Sequence, residues 1–334
     1  MNIIIPMAGM GKRMRPHTLT TPKPLVPIAG KAMVNRIVED IAATCNEPID
    51  EIAFICGQFG KEAEDSLIAV AEKMGAKGKI YYQDTPLGTA HAILCAAESL
   101  KGHVFIAFAD TLFDAKFELD TQKDAIIWTR RVEDPSAFGV VKLNDDGSIN
   151  SFVEKPKEFV SDMAIIGVYY FNDGENLKAE LQYLLDNNIR TGNEFQLTDA
   201  MENMRAKGKK FYTGEVDEWL DCGNAAATLY TMERVLALKQ NKETLRSASA
   251  VIINCVINEP CFIGDNVKLE NSIIGPYASI EANVTITNSI VKKSIIRNNA
   301  CINDAILANS LVGSFAKYAS KADVLSLGDY TEKR

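Results

Sequence analysis

Short apolar runs alternate with longer amphipathic segments through the first 110 residues of the chain. Four of these runs predict buried strands, at residues 3–5, 51–57, 79–83 and 103–110. Between them, apolar side chains at helical spacing predict helices over residues 32–46 and 60–74, and a third helix opening near Gly88. This alternation specifies a parallel sheet with helices on both faces, and ligands of such sheets bind at the carboxyl ends of the strands.

Beyond residue 124 the pattern changes to strands separated by tight turns. Strands are predicted at residues 125–129, 138–143, 149–154 and 164–171, with a hairpin turn at residues 144–147. Helices are predicted over residues 175–186, 196–206 and 224–240. The added strands extend the sheet in an antiparallel or mixed manner. The predicted fold class of this part is therefore α/β, with a Rossmann-like mixed, mainly parallel sheet.

The last part of the chain follows a six-residue period. Ile274, Ile280 and Ile286 recur at intervals of six, and Asn-Ser pairs begin at residues 271, 288 and 309. The period resembles that of the left-handed parallel β-helix of hexapeptide-repeat proteins, whose stacked coils bury an aliphatic prism. An ordinary β-sandwich is the alternative. The predicted organisation is an α/β domain over residues 1–241, a linker at 242–249, a short left-handed β-helix at 250–320 and a tail at 321–334.

Composition narrows the classes of partner. The chain has 334 residues, a net charge of −8 and a pI near 5.1, which argues against nucleic acid as the main partner. No apolar run approaches the ~20 residues of a membrane span, and no secretory signal is recognised. The seven cysteines form no Cys-x-x-Cys pair. They therefore predict neither a disulfide framework nor a zinc site, and they favour a reducing, cytoplasmic setting.

The stretch directly after the first strand concentrates positive charge in an otherwise acidic protein. Small residues come first, so backbone N–H groups can approach a ligand closely at Ala8, Gly9 and Gly11. The cations of a proline-stiffened loop follow: Lys12, Arg13, Arg15 and Lys23. Amide donors with fixed positive charge suit a polyphosphate, and a basic surface loop is the alternative. The spacing matches neither a Walker A loop nor a dinucleotide fingerprint.

Further candidate residues stand at the ends of the predicted strands. Asp110 ends an apolar strand, where its carboxylate either faces Mg²⁺ or caps the next helix. Gln83 offers both a donor and an acceptor to the edge of a base, and Gly88 allows close backbone approach. Taken alone, Gln83 is better explained as a polar surface residue at a strand end. His91 is given no functional role.

Residues 9–31 resemble the signature of the sugar-1-phosphate nucleotidyltransferases, a long gapped pattern that reads Gly-Met-Gly-Lys-Arg-Met-Arg-Pro-His-Thr…Pro-Lys-Pro-Leu-Val-Pro-Ile-Ala-Gly-Lys. The chain departs from it at Met10 and Ala32, and neither departure removes a charge. Shorter segments resemble the same family at Phe-Ala-Asp110, at Gln83 with Gly88, at Phe138-Gly139, at Glu154-Lys155 and at Trp219-Leu-Asp-Cys-Gly223. Ala109 stands where the family usually has Gly.

The resemblance implies a role for each matching residue. Arg13 would hold the β- and γ-phosphates, and Lys23 would stabilise the α-phosphoryl group. The residues implied in nucleotide binding are Ala8, Gly9, Gly11, Gln83 and Gly88. Those implied in sugar-phosphate binding are Gly139, Glu154 and Lys155, although the Glu-Lys pair also fits a solvated turn. Asp110 and Asp221 would hold Mg²⁺.

The implied reaction joins a hexose 1-phosphate to a pyrimidine nucleoside triphosphate and releases pyrophosphate. Glucose 1-phosphate and dTTP are favoured, and UTP is the close alternative. Two other classes stay open: a non-catalytic regulatory homologue that binds a sugar nucleotide, and an enzyme with an added acyltransferase activity. For the latter, the usual histidine base is missing from the repeats, since the histidines are His17, His91 and His103. The flat, weakly charged faces of a β-helix predict a homo-oligomer. For the reasons of charge and apolar length given above, neither nucleic acid nor a membrane is expected as a partner.

Overall fold

The computed structural model describes residues 1–115, 119–321, 326 and 329–330. The chain divides into two compact units, the first made of residues 1–26 and 31–227 and the second of residues 27–30 and 228–334. Across these described residues, none of the helices has both the length and the apolar character needed to cross a membrane. The domain boundaries at residues 241, 249 and 320 stay predictions. Most of the predicted tail, residues 321–334, lies outside the described residues.

The elements of the first 239 residues follow in chain order. The strands are β1 (Asn2–Pro6), β2 (Pro27–Ile28), β3 (Lys31–Ala32), β4 (Glu51–Cys56), β5 (Lys77–Tyr82), β6 (Val104–Ala107), β7 (Thr111–Asp114), β8 (Ala125–Arg131), β9 (Gly139–Leu143), β10 (Ile149–Glu154), β11 (Met163–Phe171), β12 (Phe211–Glu215) and β13 (Glu218–Asp221). The helices are α1 (Met33–Thr44), α2 (Lys61–Lys73), α3 (Thr89–Leu94), α4 (Gly174–Asp186), α5 (Leu197–Ala206) and α6 (Ala225–Lys239).

A nine-stranded mixed sheet organises the first unit, in the order β10-β9-β11-β6-β1-β4-β5, with β8 paired to β11 and β12 paired to β8. Strands β6, β1, β4 and β5 are mutually parallel, and β11 joins them antiparallel to β6. The predicted α/β fold class is confirmed. The parallel strands bring the loop after β1, the residue after β5 and the turn after β6 to one edge of the sheet.

Both faces of the central strand are covered. Ile3, Ile4 and Ile5 follow one another in β1 and have no solvent exposure. Successive strand residues point to opposite faces, so a run without exposure requires packing on each side. On one face Ile4 packs in a cluster with Ile93 of α3 and with residues of α4 and α5. An unbroken β-branched run is therefore the expected sequence for this strand.

The segments around Asp110 differ from the sequence expectation. The strand predicted over residues 103–110 ends at Ala107, and β7 begins at Thr111. β7 pairs antiparallel with β13, and Thr111 lies opposite Asp221 in that ribbon. The third helix is short, because the bonds after Leu94 tighten to the i−3 spacing of a 3₁₀ turn, as in Ala97 N–H to Leu94 O at 2.9 Å.

Three stacks of parallel strands build the repeat region of the second unit. The strands are β14 (Val251–Ile253), β15 (Val256–Ile257), β16 (Cys261–Ile263), β17 (Lys268–Glu270), β18 (Ile273–Ile274), β19 (Ala278–Ile280), β20 (Thr285–Thr287), β21 (Ile290–Lys292), β22 (Ser294–Ile296), β23 (Cys301–Asn303), β24 (Ile306–Ala308), β25 (Leu311–Val312) and β26 (Lys317–Ala319). Every third strand pairs in parallel register, as a β-helix requires. Ile274, Ile280 and Ile286 are fully buried inside it, as predicted.

Asparagine residues turn the corners of this β-helix. Asn254, Asn271, Asn288 and Asp304 share one corner with φ between 48° and 50°. Asn tolerates this left-handed region better than other residues with a side chain. Their side chains also bond from coil to coil, as in Asn254 Nδ2 to Asn271 Oδ1 at 2.7 Å. Partners along this ladder are 16 or 17 residues apart, slightly less than three hexapeptides.

Candidate active site

A cavity of about 390 Å³ opens at the carboxyl edge of the parallel strands. Eight residues singled out from the sequence line it: Ala8, Gly9, Gly11, Arg13, Lys23, Gln83, Gly88 and Asp110. They come from the loop after β1, the stretch after β5 and the turn after β6. A ninth residue singled out from the sequence, the loop cation Lys12, also lines the cavity, as do Thr89 and Glu194.

Gly11 shapes the loop after β1. Its φ is +56°, and a Cβ placed there would lie 2.9 Å from Cβ of Lys23 and 3.1 Å from Cγ2 of Thr18. Thr18 Oγ1 donates to the Gly11 carbonyl at 2.8 Å, and Met14 is buried beneath the loop. Gly9 has no atom within 4 Å of such a Cβ. Packing within the protein therefore demands glycine at position 11, whereas it sets no such demand at position 9.

Lys23 is a buried cation that forms an ion pair with a carboxylate. It begins a 3₁₀ turn over Lys23–Leu25, with Pro22 before it and Pro24 after it. Its Nζ lies 2.8 Å from Oδ2 of Asp110; the Lys23 side chain is 9% exposed and that of Asp110 is 40% exposed. The turn after β6 leads into β7, so the alternative in which Asp110 caps a following helix is wrong.

Asp221 reaches the same place through the β7–β13 ribbon. The N–H of Cys222 donates to the Asp110 carbonyl at 2.9 Å, which ties the two acidic residues together. Burial raises the pKa of Asp221, and the charge of Asp110 raises it further. The N–H of Gly223, at 2.9 Å from Oδ1 of Asp221, and the charges of Lys23 and Arg13 act in the opposite direction. Two carboxylates and two cations thus form one charged cluster.

The cluster has a donor set suited to Mg²⁺. Magnesium ions keep several waters and take one or two protein carboxylates together with phosphate oxygens. Asp110 and Asp221 would supply those two carboxylates. Over the part of the chain that the structure describes, no group of three or more His, Cys, Asp or Glu side chains is placed to hold a metal.

Gln83 and Gly88 line the same cavity from the segment after β5. The main chain of Gln83 continues the pairing of β5, since its N–H donates to Cys56 O at 3.0 Å. Its side-chain Nε2 lies 3.2 Å from the Gly88 carbonyl and 3.0 Å from Nδ1 of His91. Burial lowers the pKa of His91 and so favours the neutral form of the ring. This contact was not predictable from the sequence, because a histidine eight residues further on gives no signal by itself.

Gly88 is fixed by its own packing. Its φ is +119°, and a Cβ would collide with the Phe195 carbonyl and lie 2.7 Å from the Phe195 nitrogen. Backbone bonds link the same segments, from Phe195 N–H to Leu87 O at 2.8 Å and from Ala90 N–H to Phe195 O at 2.9 Å. The packed segment around Phe195 thus requires glycine at position 88, whether or not a base also approaches it.

The three residues implied in sugar-phosphate binding lie together but do not line the cavity of about 390 Å³. Gly139 and Glu154 are register partners in the β9–β10 pair, and Glu154 Oε2 accepts from Thr198 Oγ1 at 3.1 Å. Lys155 has a φ of +41°, rare for a residue with a side chain, and its Nζ lies 3.5 Å from Glu154 Oε1. The Lys155 side chain is 56% exposed, so its ammonium is accessible. Strain of this kind concentrates at functional sites.

Comparisons with known proteins identify the class. A family model described as "Nucleotidyl transferase" matches residues 2–237, and the chain therefore belongs to that family. A glucose-1-phosphate thymidylyltransferase of Streptomyces antibioticus is 29% identical over 99% of each chain. Mannose-1-phosphate guanylyltransferase catalytic subunit beta of Drosophila melanogaster is 30% identical, over 94% of this chain and 85% of that protein.

A crystal structure from Bacillus anthracis, proposed to be a glucose-1-phosphate thymidylyltransferase, shares the fold. Its TM-score is 0.58 at 22% identity, covering 73% of this chain and 96% of that one. At this identity the likeness concerns the fold alone. The family resemblance drawn from the loop after β1 is confirmed, and the roles of the individual residues stay predictions.

Proposed function

We propose that the protein is a sugar-1-phosphate nucleotidyltransferase that makes a nucleoside diphosphate sugar and pyrophosphate. The observation that supports this best is the charged cluster at the cavity. Lys23 pairs with Asp110, both of which line the cavity with Arg13, and the positive charge of Arg13 lowers the pKa of Asp221. A triphosphate needs such fixed cations beside carboxylates that hold Mg²⁺. The relatives named above support a sugar 1-phosphate as the second substrate.

The reaction needs no covalent intermediate on the protein. An oxygen of the sugar phosphate attacks the α-phosphorus, a new P–O bond forms, and the bond to the β-phosphate breaks so that pyrophosphate leaves. Bound Mg²⁺ supplies charge neutralisation of the triphosphate oxygens. Lys23 stabilises the charge at the α-phosphoryl group, and Arg13 holds the departing pyrophosphate. Catalysis is then positioning and electrostatic stabilisation.

For the substrates, we propose dTTP and glucose 1-phosphate. Support comes from the thymidylyltransferase relatives and from Gln83, an amide that can read the imide edge shared by thymine and uracil. UTP is the second candidate, because it presents the same edge and differs by a methyl group and a ribose hydroxyl. A pocket resolves differences of that size by only ~1–3 kcal/mol.

The test is pyrophosphate release across a matrix of five nucleoside triphosphates and several hexose 1-phosphates, with Mg²⁺. We expect release with glucose 1-phosphate and dTTP or UTP, and none when the sugar phosphate is omitted. Asp110→Asn should remain folded and release pyrophosphate ~10²–10³-fold more slowly. No pyrophosphate release with any pair of substrates would support a non-catalytic regulatory homologue. Near-normal turnover of Asp110→Asn would contradict the role proposed for Asp110.

We also propose that the β-helix contributes to a homo-oligomer. Its support is an outward-facing aliphatic column in register on one sheet: Val256, Ile273, Ile290 and Ile306. Ile306 is 77% exposed, and apolar columns of this kind are typical of contact surfaces. Light scattering on the wild-type protein and on Ile273→Lys should show a smaller species for the variant. Equal masses would contradict the proposal.

We also propose that the protein is cytoplasmic. Its support is that the seven cysteines are all unpaired thiols in the described structure. The setting is tested by fractionating cells that produce the protein, and its recovery from an oxidising compartment would contradict the assignment.

A further inference from the structure

The side-chain amide of Gln83 is held by two groups of the segment that follows it. Its Nε2 is 3.2 Å from the carbonyl oxygen of Gly88 and 3.0 Å from Nδ1 of His91. The Gly88 carbonyl can only accept, so the amide nitrogen, rather than the amide oxygen, must face it. Nε2 therefore donates one proton to Gly88 and the other to His91. This requires a neutral imidazole whose proton is on its own Nε2.

Both acceptors are themselves fixed. The Gly88 carbonyl also accepts from the N–H of Ala92 at 3.0 Å, at the start of α3. His91 lies one turn into that short helix, and its carbonyl accepts from Cys95 N–H at 3.1 Å. The hydrogen bond from Ala90 N–H to Phe195 O anchors the helix to the segment that precedes α5. The orientation of the Gln83 amide is thus set by parts of the protein that do not depend on a ligand.

This orientation decides what Gln83 offers to the cavity. With both amide protons in use, the remaining polar atom is Oε1, which has no hydrogen-bond partner among the described residues. A lone acceptor suits the N3–H of thymine or uracil. Cytosine presents a lone pair at N3, and two facing acceptors repel each other. The same site would therefore accept an imide and reject cytosine.

We propose that His91 is a positioning residue that locks Gln83 as an acceptor and so makes the cavity select nucleotides with an imide N–H over cytosine nucleotides. This inference rests on the proposed function, in which the cavity binds a pyrimidine nucleoside triphosphate. His91 itself does not touch the base. Without its Nδ1, the second amide proton of Gln83 is free, and the amide can rotate to offer a donor to cytosine.

The experiment is calorimetric binding of dTTP, UTP and CTP, each with Mg²⁺, to the wild-type protein and three variants. The wild-type protein should bind dTTP and UTP about 100-fold more tightly than CTP. His91→Phe keeps the ring but lacks an acceptor, and it should weaken dTTP binding about tenfold while CTP binding stays the same or improves. His91→Gln carries an acceptor oxygen and should restore most of the discrimination.

The matched control is His103→Phe, since His103 pairs with Glu47 near the amino end of β6, away from the cavity. It should leave all three affinities unchanged. Equal binding of CTP and dTTP by the wild-type protein would overturn the inference, as would His91→Phe weakening all three nucleotides equally, the mark of a merely structural role. Binding is read without turnover. A protein that discriminates in this way but releases no pyrophosphate refutes the proposed reaction and leaves the role of His91 supported.

Discussion

Replacing Lys23 with methionine separates the chemistry of this residue from its packing. The side chain is buried, and methionine retains most of its length and apolar volume. The carboxylate left behind on Asp110 is 40% exposed and is hydrated when the ammonium is removed. We therefore expect the free energy of unfolding to change by less than about 1 kcal/mol.

The expected effect on turnover is much larger. A fixed cation about 4 Å from a developing negative charge contributes ~4 kcal/mol at an effective dielectric constant near 20. The carboxylate of Asp110, whose Oδ2 lies 2.8 Å from Lys23 Nζ, partly neutralises this positive charge and so reduces its contribution. The reduced contribution, ~3 kcal/mol, corresponds to a loss of ~10²-fold in kcat, within the ~10²–10³-fold range found when one preorganised donor is removed.

The assay compares steady-state kcat and thermal melting for the wild-type protein, Lys23→Met and Lys12→Met. Lys12 lines the same cavity and adds to the positive charge of the same loop, but no individual role at the α-phosphoryl group is proposed for it, so its variant should lose less than tenfold. A Lys23→Met protein that folds normally and keeps kcat within threefold of wild type would refute the assignment of Lys23. A large fall with both variants would show that general positive charge, rather than a positioned group, matters.

Three further expectations follow from the geometry. Gly11→Ala should destabilise the fold and displace Lys23, because the new Cβ would lie 2.9 Å from the Lys23 Cβ. Gly9→Ala should melt like wild type, and thermal melting followed by circular dichroism compares the two variants. Burial raises the pKa of Asp221, so its negative charge destabilises the folded protein at a pH above that raised pKa. With a metal chelator present, Asp221→Asn should therefore melt at a higher temperature than wild type at pH 7. This rise in melting temperature should vanish as the pH falls through the raised pKa. Asn288 has a φ of +50° in the β-helix, so Asn288→Ala should lose about 1–2 kcal/mol in denaturant unfolding and Asn288→Gly should lose less. Equal losses from the last two would place the stability in the side-chain ladder.

The carboxyl-edge site was predictable because it depends on local patterns. An unbroken apolar strand, a glycine-containing loop and a carboxylate after another strand each leave a mark in the sequence. Parallel pairing then brings Lys23 and Asp110 to one edge of the sheet, 2.8 Å apart. The six-residue period of the β-helix was readable for the same reason, since each coil repeats one short motif.

What the sequence did not show depends on pairing between distant segments. The β7–β13 ribbon that brings Asp221 to Asp110 joins two four-residue strands that lie far apart in the chain. Neither strand has enough alternation to be recognised alone. Phe195 packs against Gly88, and His91 bonds to Gln83; both contacts are set by tertiary structure.

Direct nucleotidyl transfer is tested by following the oxygens of the sugar phosphate. Glucose 1-phosphate labelled with ¹⁸O on its phosphoryl oxygens is incubated with dTTP, Mg²⁺ and the protein, and both products are analysed by mass spectrometry. We expect dTDP-glucose and pyrophosphate in equal amounts, with all of the label in the sugar nucleotide. Label in the pyrophosphate, or no sugar nucleotide from any tested nucleotide and hexose 1-phosphate, would contradict direct attack on the α-phosphorus in this cavity.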